Sequence, residues 1–460
     1  MGPDKGDEGG FFADGIGVGA VRELAARAID RRQLLASLVL LAGVGSALRG
    51  IHEPSHDMLA VAAGGVLVAR GVLLGRPLRA RHALIAVAFL IAGTAADLAG
   101  RDLVAWIATG LAGAVAVLPS GPPPSGGAEQ RDRIWRLVER TQGDTLAPFA
   151  LRSDKTYVFA PDGRAAVAYR VRFGTAVVSG DPVGALDSQA EALDAFFAHA
   201  AANGWRTAVL GVSERRIGLW RSRGYWALSV GREVLIDVPR FSLLGRRFRN
   251  LRQAVQRTRN AGVRTEVVAE ADLDPGLRAE LENVVRHARG GSQVRGFTMI
   301  LDHLLDGTHP GTLICLARDR TGRVVGFQRF ASADRGRELS LDVPWRLPGS
   351  PNGIDERLAV DMVAWAAEHG AARLSLAFAP FPDLFAIRHR TGLQRLAHWG
   401  VHRFDAVIRL ESLYRFLRKF HAMGQNRYVA LRPRELLWVA LAMLTLEFVP
   451  HRTIARRRRA

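Results

Sequence analysis

At 460 residues the chain is long enough for two or three domains with full cores, and 63 Lys and Arg against 44 Asp and Glu give a formal net charge of +19. Such a charge suits an anionic partner, a nucleic acid or an acidic bilayer, or else a solvated basic surface with a charged tail. One cysteine, Cys315, excludes an intramolecular disulfide, and no Cys/His cluster has zinc-ligand spacing, which argues against a metal or thiol enzyme.

The cationic residues are almost all arginine, the lysines being Lys5, Lys155 and Lys419. A Gly/Asp-rich, disordered cytoplasmic N-terminus is expected over 1–32. Four apolar stretches follow at 33–49, 57–75, 83–99 and 103–118, each near the ~20 residues that a helix needs to cross a bilayer. No small-residue cleavage site follows a single apolar region, so a removable signal peptide is not expected. Arg22, Arg27, Arg31 and Arg32 precede the first stretch; Arg70, Arg76, Arg79 and Arg81 surround the second loop; and Arg131, Arg133 and Arg136 follow the fourth. The loops around His52–Asp57 and Asp97–Asp102 hold almost no positive charge. The positive-inside rule then places both ends in the cytoplasm and the protein in the cell membrane as a multi-pass chain.

Residues 119–129, with Pro119–Gly127 reading PSGPPPSGG, form a linker. Beyond it the pattern predicts strands Tyr157–Ala160 and Ala165–Val171 joined by a Pro161-Asp162-Gly163 turn. A third strand, Thr175–Ser179, runs into a Gly-Asp-Pro-Val-Gly corner and a helix over 188–203. Strand Thr207–Gly211, helix 213–222 and strand Glu233–Asp237 complete a first unit, 130–245. The second unit, 246–435, opens with RRFRNLRQAVQRTRNAG. On a helix, Arg249, Arg252, Gln256 and Arg259 share one cationic face, while Leu251 and Val255 lie on another. Such a face grips phosphates or is simply solvated. Strand Arg264–Val268, helix 276–289, strands Leu313–Arg318, Val324–Ala331 and Leu339–Leu341, helix Asp355–His369, strand Arg373–Ala377, strand 401–410 and helix Leu413–Phe420 follow. Cys315 falls in the apolar run TLICLA and reads as a small core residue. The apolar run Leu436–Val449 is too short to span comfortably and suits an interfacial or buried helix; with the arginines Arg456–Arg459 it makes the segment 436–460 a candidate for anionic headgroups.

Several blocks in order carry a family resemblance: Tyr157-Val158-Phe159-Ala160-Pro161-Asp162-Gly163-Arg164, Ala168-Tyr169-Arg170, Gly180-Asp181-Pro182-Val183-Gly184, Arg249-Asn250-Leu251-Arg252 with Arg257, Gly296-Phe297-Thr298-Met299, Pro351-Asn352-Gly353 with Glu356, and Lys419-Phe420 with Arg427-Tyr428. Over roughly 130–435 the chain resembles the soluble domain of the phosphatidylglycerol lysyltransferases. The resemblance implies a membrane-tethered α+β domain of two tandem acetyltransferase-like (GNAT) subdomains, here behind the α-helical transmembrane bundle of about four spans that the apolar stretches predict. It implies transfer of an amino acid, with lysine expected, from aminoacyl-tRNA to phosphatidylglycerol at the membrane, without a cofactor or metal. It also points to Glu356 and Lys419 for catalysis, and to Arg249, Arg252, Arg257, Asp181, Arg427 and Tyr428 for substrate binding, to which the cationic helix face adds Arg259 and the acid beside Glu356 adds Asp355. Two positions depart from the family: Gly424 stands where a tryptophan is expected, and Asp355 where the residue is usually apolar.

An aminoacyl-tRNA is already an activated ester, so the reaction needs a placed hydroxyl, removal of a proton and stabilisation of an oxyanion. Glu356 would bind the amino acid's ammonium, although an acid at a helix start also suits the macrodipole. Lys419, Arg427 and Arg252 would hold tRNA or lipid phosphate, and Asp181 is a substrate ligand or a turn-former. Competing readings are aminoacyl or acyl transfer to another lipid or a peptide, a CoA-dependent N-acyltransferase, and a non-catalytic membrane protein. The Arg/Gln-x-x-Gly-x-Gly/Ala loop that cradles the CoA pyrophosphate does not occur, which counts against CoA. The arginine placement predicts that a reporter fused at Ser125 is active only on the cytoplasmic side; activity confined to the outside would reverse the topology.

Overall fold

A β-hairpin opens the sheet as its turn chemistry requires: β1 (Thr156–Phe159) pairs antiparallel with β2 (Ala165–Arg172), and Asp162 accepts the backbone N–H of Arg164 at 2.9 Å. The computed structural model describes residues 80–116, 119, 121–288, 293–294, 296–380, 416–448 and 451–452. It falls into two compact units. The first contains α1 (Ala80–Leu98) and α2 (Asp102–Ala116), which pack on each other. No helix among the described residues is long and apolar enough to cross a membrane. Of the four expected spans, 33–49 and 57–75 lie outside the described residues, and the other two fall on α1 and α2.

The second unit is built on one mixed sheet of 12 strands. Its first half comprises β3 (Thr175–Ser179), β4 (Val183–Gly184), β5 (Arg206–Ser213) and β6 (Trp226–Asp237) beside the hairpin. Gly184 adopts φ +106°, and a Cβ there would sit 2.2 Å from the Arg164 carbonyl oxygen, so the Gly-Asp-Pro-Val-Gly corner passes tightly against the hairpin. α3 (Ala128–Val138) and the turn Ala147–Leu151 cover one face through Ile134, Leu137 and Phe149. α4 (Gln189–Ala202) and α5 (Ile217–Arg221) cover the other face, with Phe196 and Trp220 in one core cluster with Tyr169 of β2. β2 serves both layers by alternation, with Val167, Tyr169 and Val171 facing one and Ala166 and Ala168 the other.

In the second half, β7 (Arg264–Ala269), β9 (Thr312–Arg318), β10 (Val324–Ala333), β11 (Glu338–Arg346) and β12 (Arg373–Pro380) carry α6 (Arg249–Asn260) and α8 (Ile354–Glu368) on one face and α7 (Pro275–His287) on the other. The short β8 (Gln293–Val294) stands apart from this sheet and pairs with a two-residue strand at His451–Arg452. α6 buries Leu251, Ala254, Val255 and Thr258, the i, i+3, i+4, i+7 stripe expected of it. α7 starts where Asp274 accepts the N–H groups of Gly276 and Leu277 ahead of Pro275 at the first turn. Cys315 is buried, with its thiol pushed far up by desolvation, and contacts the Leu358 carbonyl. Between β1 and β12 the expected strands and helices are present with the expected type, while β4 and β8 were not expected and β6 and β11 run longer than expected. Strand 401–410 and the start of helix Leu413–Phe420 lie outside the described residues.

The exception to a colinear pair of halves is β13 (Met423–Leu431), which leaves the second half and inserts between β5 and β6 of the first, antiparallel to both. The strand order is therefore β1-β2-β3-β5-β13-β6-β12-β11-β10-β9-β7, with β4 also pairing β2. Arg427 holds β13 in place. Only 3 % of its side chain is exposed, and its guanidinium donates to Glu233 at 2.6 Å, Asp144 at 2.9 Å and the Gly211 carbonyl at 3.3 Å. Thr145 adds a hydrogen bond to Glu233. The donors of Arg427, expected to hold phosphate, are here engaged by the protein's own buried acids. A buried charge pair broken from one side costs about 3–5 kcal/mol, because the remaining carboxylates keep their desolvation penalty. Arg427→Met is therefore expected to lower unfolding free energy by about 3–5 kcal/mol in denaturant titrations, and a loss of only about 0.5 kcal/mol, the size of an ordinary surface change, would refute the anchoring role.

Candidate functional site

Two clusters contain most of the residues singled out from the sequence. The first lies where α8 begins. Gly353 precedes the helix at φ +101°, and a Cβ there would stand 2.9 Å from the Ala254 carbonyl, so α6 and the start of α8 are in backbone contact. The first turn of α8 then presents Asp355 and Glu356, where the helix macrodipole favours negative charge. Glu356 is ion-paired with Lys419, 63 positions on in the chain; the carboxylate side chain is 9 % exposed and the lysine 39 %. Asp355 pairs with Arg346 at 3.1 Å, and Gln328 donates to its carbonyl. Burial pushes the Asp355 carboxyl up, Arg346 opposes that shift, and Glu356 adds to it. Four charged groups from β11, α8 and the 419 turn thus meet at one point.

Directly beyond Lys419 the chain turns at His421, whose Nε2 lies 3.0 Å from the Arg247 carbonyl oxygen. This contact joins the turn to the start of α6. A cavity of about 400 Å³ opens between them, lined among others by Phe241, Leu244, Arg247, Phe248, Phe420 and His421. Along α6 the side chains of Arg249, Arg252, Arg257 and Arg259 are exposed. Arg252 donates to the carbonyls of Leu243 and Gly245, the latter at 2.7 Å, which ties down the loop that forms one wall of the cavity.

The second cluster is the buried seam around Arg427. Asp181 belongs to it and is 7 % exposed: it accepts the Ser213 N–H at 2.9 Å, and its carboxyl is pushed up to about 6 by burial and by Asp144, against the pull of Arg427. Tyr428 is half-buried against the aromatic core of the first half, with Arg221 over its ring. Asp181, Arg427 and Tyr428 therefore stand inside the fold, apart from the α8 cluster. Asp144, Thr145 and Glu233, which the sequence analysis did not single out, complete the seam; no spacing or motif marks them. Lys155 is also buried. Its ammonium donates to the Phe149 carbonyl and Ser179 Oγ, each at 2.7 Å, and burial followed by Arg152 pulls it down to about 7. Among the described residues no group of His, Cys, Asp or Glu has the makings of a metal site.

Chemically, the α8 cluster offers a shielded carboxylate, a partly exposed ammonium, a cavity and a row of arginines. That set can take a ligand with a cationic end and a phosphate end. The family described as phosphatidylglycerol lysyltransferase, C-terminal, matches residues 135–431. An MprF-like domain protein of Mycobacterium tuberculosis is 47 % identical over 400 residues, 86 % of this chain and 82 % of that one. The lysylphosphatidylglycerol biosynthesis bifunctional protein LysX of Rhodococcus opacus is 33 % identical over 316 residues, 68 % of this chain but 28 % of that one. Among solved structures, L-PGS from Bacillus licheniformis superposes with TM-score 0.58 at 20 % identity, covering 70 % of this chain and 98 % of the other. The C-terminal domain of a putative lysylphosphatidylglycerol synthetase from Agrobacterium fabrum does so with TM-score 0.60 at 21 % identity and the same coverage. At those identities the likeness is one of fold.

The seam makes a pH prediction. Asp181 binds its proton more tightly folded than unfolded, so its contribution to stability is present below about 3.8 and is lost as pH rises toward about 6. Asp181→Asn keeps the acceptor for Ser213 and removes one of three neighbouring acids. Thermal melts are expected to show the variant more stable than wild type at pH 7, with the advantage vanishing near pH 4. A variant that is less stable at pH 7 would contradict this sign.

Proposed function

The chain belongs to the phosphatidylglycerol lysyltransferase C-terminal family, a transferase family, and on that premise we propose that it moves an amino acid, lysine first among the candidates, from aminoacyl-tRNA to phosphatidylglycerol at a membrane. The observation that carries the proposal is the convergence of Glu356 and Lys419 beside the arginine-bearing α6. Without substrate, each neutralises the other, which offsets the cost of holding Glu356 in a shielded site. The ammonium of an incoming aminoacyl group competes for the Glu356 carboxylate. Lys419, on a flexible four-carbon stem, is then released toward the phosphate beside the ester. This exchange admits a substrate with both a cationic and an anionic end. Placement of the lipid hydroxyl against the ester carbonyl then supplies most of the rate, since the ester is already activated.

The row of arginines on α6 gives the donor a polyanion-binding surface. Replacing both Arg252 and Arg259 by Ala is expected to weaken tRNA binding and reduce its salt slope by nearly two, one for each phosphate that is no longer neutralised; an unchanged slope would make the face a solvated one. Purified protein incubated with labelled aminoacyl-tRNAs and phosphatidylglycerol vesicles is expected to yield labelled lipid on extraction. Glu356→Gln, which keeps shape and removes charge, should lower the rate by roughly ten- to a hundred-fold, the worth of one hydrogen bond to a charged group, with thermal stability largely kept. Labelled lipid formed equally by this variant would remove Glu356 from the site, and absence of label in the wild type with every aminoacyl-tRNA would overturn the assignment of donor or acceptor.

A further inference from the structure

The helix α9 (Leu436–Phe448) is apolar on both sides, yet only one side is covered. Val439, Ala442, Met443 and Leu446 are buried against Val177, Leu210, Val429 and Leu431 of the sheet. The opposite side exposes Leu437 by 76 %, Leu444 by 46 % and Leu441 by 44 %, with Leu436 and Trp438 at its edges. Its orientation is fixed from within: Glu447 accepts the N–H groups of Phe297 and Thr298 at 3.1 Å and the Thr298 hydroxyl at 2.7 Å. The helix therefore cannot roll to hide its leucines without giving up three hydrogen bonds to a carboxylate.

The patch continues onto the sheet. Trp226 and Leu228 on β6 are register partners of Leu431 and Val429 on β13, so they share the sheet face that α9 covers, and they are 63 % and 50 % exposed. Arg206 lies over the Trp438 ring, and Arg434, 67 % exposed, stands just before the helix beside Glu435. An exposed apolar face flanked by Arg206 and Arg434, with a tryptophan at its edge, has the chemistry of an interfacial element.

We infer that the outer face of α9, with Trp226 and Leu228, docks flat onto a bilayer surface containing anionic phospholipid. A helix of 13 residues is too short to span, so it lies in the headgroup–acyl boundary. The inference depends on the proposed reaction only for the choice of phosphatidylglycerol as the anionic lipid.

The test uses the full chain reconstituted in vesicles of phosphatidylcholine, with or without phosphatidylglycerol. Cys315 is buried, so Leu437→Cys and, as a control on α4, Glu191→Cys each add one accessible thiol for a nitrobenzoxadiazole label. The label at 437 is expected to shift to the blue and to be quenched by lipids carrying a nitroxide near the headgroup, more strongly with phosphatidylglycerol; the label at 191 should do neither. Adding Leu441→Glu and Leu444→Glu should abolish the quenching at 437. Water-like emission without quenching would overturn the docking. So would a blue shift without lipid quenching, which would mean that another segment of this chain or a second copy covers the face. Lipid aminoacylation measured on the same vesicles separates the two ideas: labelled lipid without quenching removes only the docking, and quenching without labelled lipid removes only the reaction.

Discussion

The buried ion cluster of Arg427 with Glu233 and Asp144 determines the placement of everything around it. A strand from late in the second unit is inserted between two strands of its first half, and an arginine at its centre finds its counter-charges there. Any register slip of β13 would strand a guanidinium and two carboxylates without partners, at several kcal/mol each. Burial of this kind makes poor use of charge for stability alone, but it specifies one pairing.

Both ends of β13 gain from that specification. Four residues before its first residue stands Lys419, which meets Glu356 across the turn. Five residues after its last begins α9, whose inner face seals the sheet and whose outer face stays apolar and exposed. The pair proposed to bind the substrate and the helix proposed to dock on lipid are thus mounted on opposite ends of one strand. The same economy appears in the lysines. The two lysines among the described residues sit where a compact ammonium serves, Lys155 between a carbonyl and a serine and Lys419 against a single carboxylate oxygen.

Local chemistry made much of this fold legible. The Pro161-Asp162-Gly163 turn, the alternation of β2, the stripe of α6 and the acids at the start of α8 each follow from a period or a turn residue, and each stands where the pattern placed it. What was not legible was long-range. The run MGQNRYVAL has no clean alternation and carries a charge at its centre, so β13 does not read as a central strand. The acids that enclose Arg427 were not legible either, because a lone cation in a sequence carries no record of its distant partners. Asp144 and Glu233 went unnoticed for the same reason, as their partner lies 283 and 194 positions away. Glu356 and Lys419 came from the family resemblance; spacing alone would not have joined them.

The central question is whether the Glu356–Lys419 pair serves the substrate or merely closes the fold. A charge swap separates the two, because Glu356→Lys combined with Lys419→Glu rebuilds an ion pair in the same place with the carboxylate on the more exposed side. Measuring both melting temperature and aminoacyl transfer in the double variant and in each single variant decides the matter. If the pair serves the substrate, the double variant regains stability over the singles while transfer stays lost. Recovery of transfer together with stability would contradict this and leave the pair a structural bridge.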